Sequence, residues 1–297
     1  GNFDATLADS VQINTLFLGI NVFDIKELTR FLLAQLVLAG DYALRIQPRI
    51  KSDDEKGGNI FQTALTDADL SIQAMVEVAL LGRFPDVSFH GEEEEKSLNT
   101  KYFPKDAEYE VTLDPVNGTR LFVDQFSTFD IVAAVTQNGE IICAIDYLPA
   151  KEQCYFALRK AGAFCLSRNE ILNGAPWRPF VLPQGGERVM IFEDEDLHRR
   201  LDTRFNTVDL VCEYLRAPSG LTLNSILRGE LSGWVRRNAH LIDLGAIAFI
   251  AGEAGALVTD FRGQPIGPYL RSRERSVPEL VAAATPELHE RILNALA

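Results

Sequence analysis

The stretch Leu113-Asp114-Pro115-Val116-Asn117-Gly118-Thr119 decides how this chain is read. A β-rich run, Tyr109 to Leu113, leads into it, and Pro115 and Gly118 predict a tight turn. Thr119 is a good N-cap for a predicted helix over Arg120 to Gln125. A carboxylate, two turn residues and a hydroxyl therefore fall where a strand gives way to a helix. A helix N-terminus offers free N–H groups and the positive end of a dipole, a natural seat for phosphate. Asp114, just upstream, is placed to hold a hard cation against that phosphate. On its own the stretch reads equally well as a capped turn with a chance acid.

Two further stretches change the balance. Phe89-His90-Gly91-Glu92-Glu93 closes the apolar run that starts at Pro85. Leu241-Ile242-Asp243-Leu244-Gly245-Ala246 opens an apolar helical pattern that runs into Gly252-Glu253-Ala254-Gly255. Taken in order, the three resemble the signatures of the inositol monophosphatase-like family of magnesium-dependent phosphatases, written G-E-E, D-P-(I/L/V)-D-G-T and W-D-x-(A/G)-(A/G). Each motif is weak alone, and three in sequence across nearly the whole chain are strong. Two positions depart from the pattern. Asn117 stands where the family has a metal-ligating Asp, and Ile242 where it usually has Trp.

The resemblance implies a layered αβαβα sandwich. An α+β half (residues 1–178) would carry most cation ligands, and an α/β half (179–297) would carry Asp243 and the substrate side. It implies Mg2+ held by Glu92, Asp114, the Val116 carbonyl, Asn117 and Asp243, with Glu93 in support. Thr119 and Asp69 would orient the attacking water, and the Gly118 and Thr119 N–H groups would hold phosphate. Thr66 and Asp69 also have the spacing of a capping box, which explains them without any site. The family has a loop opening with Lys close to the metals, and Lys51 matches it at the head of a charged, Gly-containing segment. Glu94 and Glu95 complete a four-acid run and read as surface. The family's inositol phosphatases carry an acid at the position of Arg236. An Arg there suits a second anion, either a sugar bisphosphate or a 3′-phosphoadenosine nucleotide, although it reads equally as a surface Arg paired with an acid. Ser219 and Gly220, at a predicted helix start, are candidates for the same pocket, and His240 reads as a supporting or core histidine.

Magnesium wants a few carboxylates plus water and substrate phosphate. Two such ions can clamp the attacking water and the leaving oxygen of an in-line displacement. No Cys–His or G-x-S-x-G arrangement suggests a covalent route. Asn117 carries no net charge, so replacing a carboxylate there removes a Coulomb attraction of several kcal/mol at an effective dielectric of about 20, partly offset by cheaper desolvation. The expectation is a phosphomonoesterase acting on a small phosphorylated polyol, sugar or nucleotide. The alternative is a weakened relative that binds a phosphorylated metabolite or a partner.

Bulk composition agrees with this class. The chain has 297 residues, 46% of them hydrophobic, and a formal net charge of −13. Such an acidic balance argues against a nucleic-acid polymer or an anionic membrane as partner. The four cysteines form no C-x-x-C pair and read as idle thiols in a reducing compartment. No apolar run approaches the roughly 20 residues of a membrane span, and the first residues show no signal pattern, so a cytoplasmic protein is expected. The family often forms homodimers.

Periodicity places the remaining elements. Apolar spacing predicts a long helix over Asp24 to Ile46 and another from Thr66 to about Leu81. Asn138-Gly139 between apolar runs predicts a hairpin, and a second follows over Gln153 to Leu166. Asn173 to Pro183 reads as a connector. Strands at Val189 to Phe192, Thr207 to Cys212 and Gly233 to Val235 then alternate with helices at Asp194 to Leu201, Ser219 to Leu227 and Ile242 to Ala254, before a closing helix over Pro286 to Leu296.

Overall fold

The computed structural model describes residues 23–50, 66–266 and 276–297; Lys51 lies outside them. Helix α1 (Ile25–Ile46) starts where Asp24 accepts the Lys26 N–H at 2.8 Å, and its buried stripe includes Leu28, Leu32, Leu36 and Ala43. It lies so close on the first sheet that a Cβ added at Gly40 would meet the Tyr147 ring at 2.5 Å. Helix α2 (Asp67–Arg83) opens with a capping box between Thr66 and Asp69.

The first sheet has seven strands in chain order: β1 (Ser88–Gly91), β2 (Tyr109–Asn117), β3 (Asp130–Gln137), β4 (Glu140–Leu148), β5 (Gln153–Leu158), β6 (Gly162–Ser167) and β7 (Pro179–Phe180). β1 pairs parallel with β2 and the other pairings are antiparallel. Asn138 and Gly139 turn between β3 and β4 with φ of 51° and 82°, the paired positive values that an Asn-Gly hairpin adopts. Short helices α3 (Thr119–Val123) and α4 (Arg168–Leu172) interrupt this meander.

The second half contributes β8 (Arg188–Ile191), α5 (Glu195–Leu201), β9 (Asn206–Asp209), α6 (Leu210–Arg216), β10 (Gly233–His240), α7 (Ala246–Glu253), β11 (Leu257–Thr259), β12 (Ser276–Ala283) and α8 (Pro286–Leu296). Its sheet is mixed, in the order β11-β12-β10-β8-β9, with β12 antiparallel to both neighbours. Helices α1 and α2 cover one face of the first sheet. Helix α7 fills the space between the sheets. Helices α5 and α8 cover the outer face of the second. The result is the expected five-layer αβαβα sandwich. No helix among the described residues is long and apolar enough to cross a membrane.

Four local expectations are corrected. Thr119 does not cap α3: Gly118, at φ 78°, takes the cap position and Thr119 becomes the first helical residue. Pro115 lies within β2 rather than in a turn. The strand predicted through Cys212 stops at Asp209, whose Oδ1 accepts the Val211 and Cys212 N–H groups at 3.1 and 3.2 Å and starts α6 instead. The helix predicted from Ser219 reduces to a 3-10 turn over Leu223–Ile226, which starts after Thr222, whose N–H donates to the Ser225 hydroxyl at 3.1 Å.

Candidate active site

The site forms where β1, β2, β10 and the start of α2 end close together. Side chains alternate faces along a strand, so Asp114 and Asn117, three apart, would ordinarily point to opposite sides. The β2–β3 register shifts between these two residues, and the irregularity brings both to one cavity. Pro115, which cannot donate to a ladder, sits at that irregularity, and Asp114 Oδ1 accepts the Val116 N–H at 3.2 Å. Gly118 then reverses the chain into α3.

Glu92 follows β1 directly. At Gly91 a Cβ would come within 2.2 Å of the Gln73 side-chain oxygen, so only glycine lets α2 approach this strand end. Gln73 uses the contact: its Oε1 accepts the Glu93 N–H at 3.0 Å and its Nε2 donates to Glu77 at 2.9 Å. Glu93 is thereby held beside the cavity rather than in its wall.

Asp69 serves the helix cap and the site at once. Its Oδ2 accepts from the Thr66 N–H at 2.9 Å and the Thr66 hydroxyl at 2.6 Å. Its Oδ1 lies 3.3 Å from the Thr119 hydroxyl, which is also 2.9 Å from the Val116 carbonyl oxygen.

A cavity of about 520 Å³ is lined by Glu92, Asp114, Val116, Asn117, Gly118, Thr119, Arg236 and Asp243 among the sequence-expected residues. Ser219 is not in its wall; the neighbouring Leu221, Thr222 and Leu223 are. His240 is exposed at the cavity rather than in the core. Sequence reasoning missed His90, Asp130 and Phe192, which also line it. For Asp130 a signal existed, a lone acid opening the apolar run Ile131 to Val135. His90 reaches Glu94 at 2.6 Å, and no pattern in the sequence marked Phe192.

Charge dominates the electrostatics. Burial, then the charges of Glu92 and Asp243, hold the Asp114 carboxyl well above its ordinary range. Burial outweighs the Thr66 hydrogen bonds at Asp69 and pushes it up to about 7. Glu92 also rises to about 7, through crowding by protein atoms and then through Asp69, Asp243 and Glu93, against a hydrogen bond with Asp114. Because solvent still reaches Glu92 at the cavity mouth, the neighbouring carboxylates are the firmer cause. Acids crowded together in this way either take up protons or accept a cation.

Among the described residues no three acidic, His or Cys side chains close into a ready-made metal group. Asp243 instead turns its carboxylate to the Leu244 N–H within the π-helical turn Leu241–Gly245. The donor set still fits a hard cation, because oxygen ligands from three elements face one cavity and their mutual repulsion is what a cation relieves.

Arg236 and Arg237 differ sharply. Arg237 is paired with Asp194 and Asp196, each at 2.9 Å. Arg236 faces the cavity, stacked 4.0 Å over the Phe192 ring, with no ion pair among the described residues. Burial holds its pKa below the ordinary value, with the charge of Asp243 opposing.

A model of the inositol monophosphatase family matches residues 24–297. The chain belongs to that family. A fructose-1,6-bisphosphatase/inositol-1-monophosphatase of Thermotoga maritima is 24% identical over 236 residues, covering 75% of this chain and 81% of the relative. Among solved structures, an IMPase of Thermotoga maritima superposes with a TM-score of 0.69 at 20% identity, over 91% of this chain and 96% of that one. An IMPase/NADP phosphatase complexed with Mg2+ and phosphate superposes with a TM-score of 0.68 at 19% identity, over 91% and 95%. Inositol monophosphatase family members are metal-dependent phosphatases, so the cavity with its crowded acids has the setting of a phosphatase site.

Proposed function

We propose that this chain is a Mg2+-dependent phosphomonoesterase whose substrate carries a second anionic group. The observation that carries the reading is the Thr119 hydroxyl between Asp69 and the Val116 carbonyl, in a cavity that also gathers Glu92, Asp114 and Asp243. Glu92, Asp114, Asp243, the Val116 carbonyl and the Asn117 amide oxygen would hold the cations. Bound magnesium would supply positive charge to the phosphate oxygens and make water a better nucleophile. The chain's own residues do the rest. The single Thr119 hydroxyl proton faces two acceptors, the Val116 carbonyl at 2.9 Å and Asp69 at 3.3 Å; given to Asp69, it would leave the hydroxyl lone pairs free to accept a hydrogen of the attacking water and aim it. Asp69, with one oxygen fixed by Thr66, is oriented to receive that proton through Thr119. Gly118 and Thr119 present N–H groups towards a phosphate. Glu93, anchored by Gln73, keeps the Glu92 turn in place.

Arg236 supports the substrate class. A guanidinium half-buried with no ion pair among the described residues favours an anion, and its planar fork suits phosphate. A sugar bisphosphate or a 3′-phosphoadenosine nucleotide supplies one. The test is phosphate release with Mg2+ on inositol 1-phosphate, fructose 1,6-bisphosphate and 3′-phosphoadenosine 5′-phosphate. One of the bisphosphates should be preferred, and Arg236→Ala should raise its KM about 10-fold or more, the scale of a lost charge-assisted hydrogen bond. Equal turnover of all three, unchanged in Arg236→Ala, would sink the substrate assignment. Asn117 favours the second reading, a weakened relative that binds without turning over. Its mark would be saturable binding of these compounds with no phosphate released.

A further inference from the structure

The cavity holds a conflict of charge that the fold has to manage. A long, flexible cation, Arg236, faces the same space as Glu92, Asp114 and Asp243. Charge alone would close it onto one of these acids, since an arginine fork and a carboxylate make a strong, two-pronged pair. Arg237, the next residue on β10, does so, holding Asp194 and Asp196 at 2.9 Å each. Asp243 is near enough for its charge to bear on Arg236. Arg236 nevertheless pairs with none of the three cavity acids, and its guanidinium carbon lies 4.0 Å over the ring of Phe192 instead.

The Phe192 ring is a built platform. Strands β8 and β10 run parallel, with Val189 opposite Gly233 and Met190 opposite Trp234. Two residues further along each strand come Phe192 and Arg236, which continue the inward-facing side that Met190 and Trp234 begin. Val189, Ile191 and Val235 face the outer layer. Beyond Phe192 the chain turns at Glu193, whose φ is 46° and whose N–H donates to Asp209 Oδ1 at 3.2 Å. Asp194 then caps α5 by accepting the Leu197 N–H at 2.9 Å, and it also takes Arg237. One pinned connector thus serves both arginines: its acid holds Arg237 on the outside and its ring holds Arg236 on the inside. A phenyl face attracts a guanidinium through the ring quadrupole and, unlike an acid, takes up no N–H donor.

We propose that Phe192 is a positioning residue that acts through Arg236: its ring face holds the guanidinium off the cation-binding acids, so that one cavity keeps a seat for Mg2+ and a separate seat for the substrate's second anion. Without the ring, Arg236 would fall back onto Asp243 or its neighbours, and an internal ion pair would occupy both seats. The proposal rests on the metal-dependent reading above and on the anion role given there to Arg236.

The test is Mn2+ binding to the full chain, with free Mn2+ followed by electron paramagnetic resonance and folding checked by circular dichroism. The parent is compared with Phe192→Leu and Phe192→Met, which keep an apolar side chain and remove the π face, and with Phe192→Tyr, which keeps the face. A fourth variant combines Phe192→Leu with Arg236→Met. Phe192→Leu and Phe192→Met should each weaken Mn2+ binding by about 5- to 30-fold, the worth of a half-buried cation–π contact. Phe192→Tyr should bind as the parent does. The double variant, with no guanidinium left to compete, should bind Mn2+ at least as tightly as the parent. If the folded Leu and Met variants bind Mn2+ as tightly as the parent, the ring does not guard the acids and the proposal is overturned. A loss that persists in the double variant, or that Phe192→Tyr shares, comes from a disturbed cavity wall and overturns it as well. A parent that binds no Mn2+ overturns the metal-dependent reading itself, which none of the variant comparisons alone would do.

Discussion

At the scale of single residues, the site depends on side chains that hold two partners at once. Thr119 is buried and bonded to both Asp69 and Val116, so its hydroxyl is a hinge between α2 and the β2 bulge. Thr119→Val keeps the shape and removes the hydroxyl. We expect turnover to fall by at least about 100-fold, the usual worth of a proton-transfer group. Stability should fall by only about 1–3 kcal/mol, the cost of leaving buried acceptors without a donor. Steady-state kinetics beside thermal melting would separate the two, and a Thr119→Val enzyme within about threefold of the parent would remove Thr119 from the mechanism. The cysteines offer no alternative nucleophile: burial holds the Cys143 thiol up at about 12 and the Cys154 thiol well above its ordinary value.

At the scale of elements, α8 is locked to the second sheet through His289, whose Nε2 lies 2.8 Å from the hydroxyl of Thr259, the last residue of β11. Burial lowers the His289 pKa below its ordinary 6.5. The unfolded chain therefore binds a proton that the folded chain resists. This contribution is intact above pH 6.5 and is lost as the pH falls below it. The melting temperature of the parent should drop more between pH 7 and 5 than that of His289→Gln, as differential scanning calorimetry would show; parallel pH profiles would refute the coupling. Much of this level could be read from the sequence, for physical reasons. Helices α1 and α8 have clean 3.6-residue apolar stripes, α2 buries a stripe that includes Asp69, Gln73 and Glu77, all three have side-chain caps, and the β3–β4 hairpin has its Asn-Gly. What could not be read depended on tertiary partners. Residues 210–212 look like strand by composition, but the Asp209 cap turns them into helix. Strand β12 contains Pro278 and Glu279 and resembles a loop. It is a strand because Pro278 falls opposite Asn238, where no ladder pair forms, and beyond the stretch paired with β11. The site showed the same division. Its motif acids were legible and Asp130 left a faint mark as a lone acid before an apolar run, whereas Phe192 is brought to the cavity only by the chain crossing.

At the scale of the whole molecule, the two sheets share one core. Val132 and Ala144 of the first sheet and Trp234 and Leu280 of the second belong to the same cluster around α7. We expect the two halves, residues 1–178 and 179–297, to unfold as one unit. The chain's two tryptophans allow a direct check, since Trp177 packs against the first sheet's core and Trp234 is buried in the second. Urea transitions followed by fluorescence in Trp177→Phe and Trp234→Phe should coincide, and separated midpoints would mean independent domains. The position of β12 carries a consequence of another kind. It is the next-to-edge strand that joins β11 to β10, yet it is the last strand in the chain among the described residues. During synthesis the first sheet can assemble by neighbouring hairpins as the chain lengthens. The second must wait, with one flank of β10 and all of β11 unpaired, until residue 283 has emerged. The nascent chain therefore passes through a long interval with an open strand edge, and this interval, rather than the finished fold, is where a helper protein or a rival strand would find it.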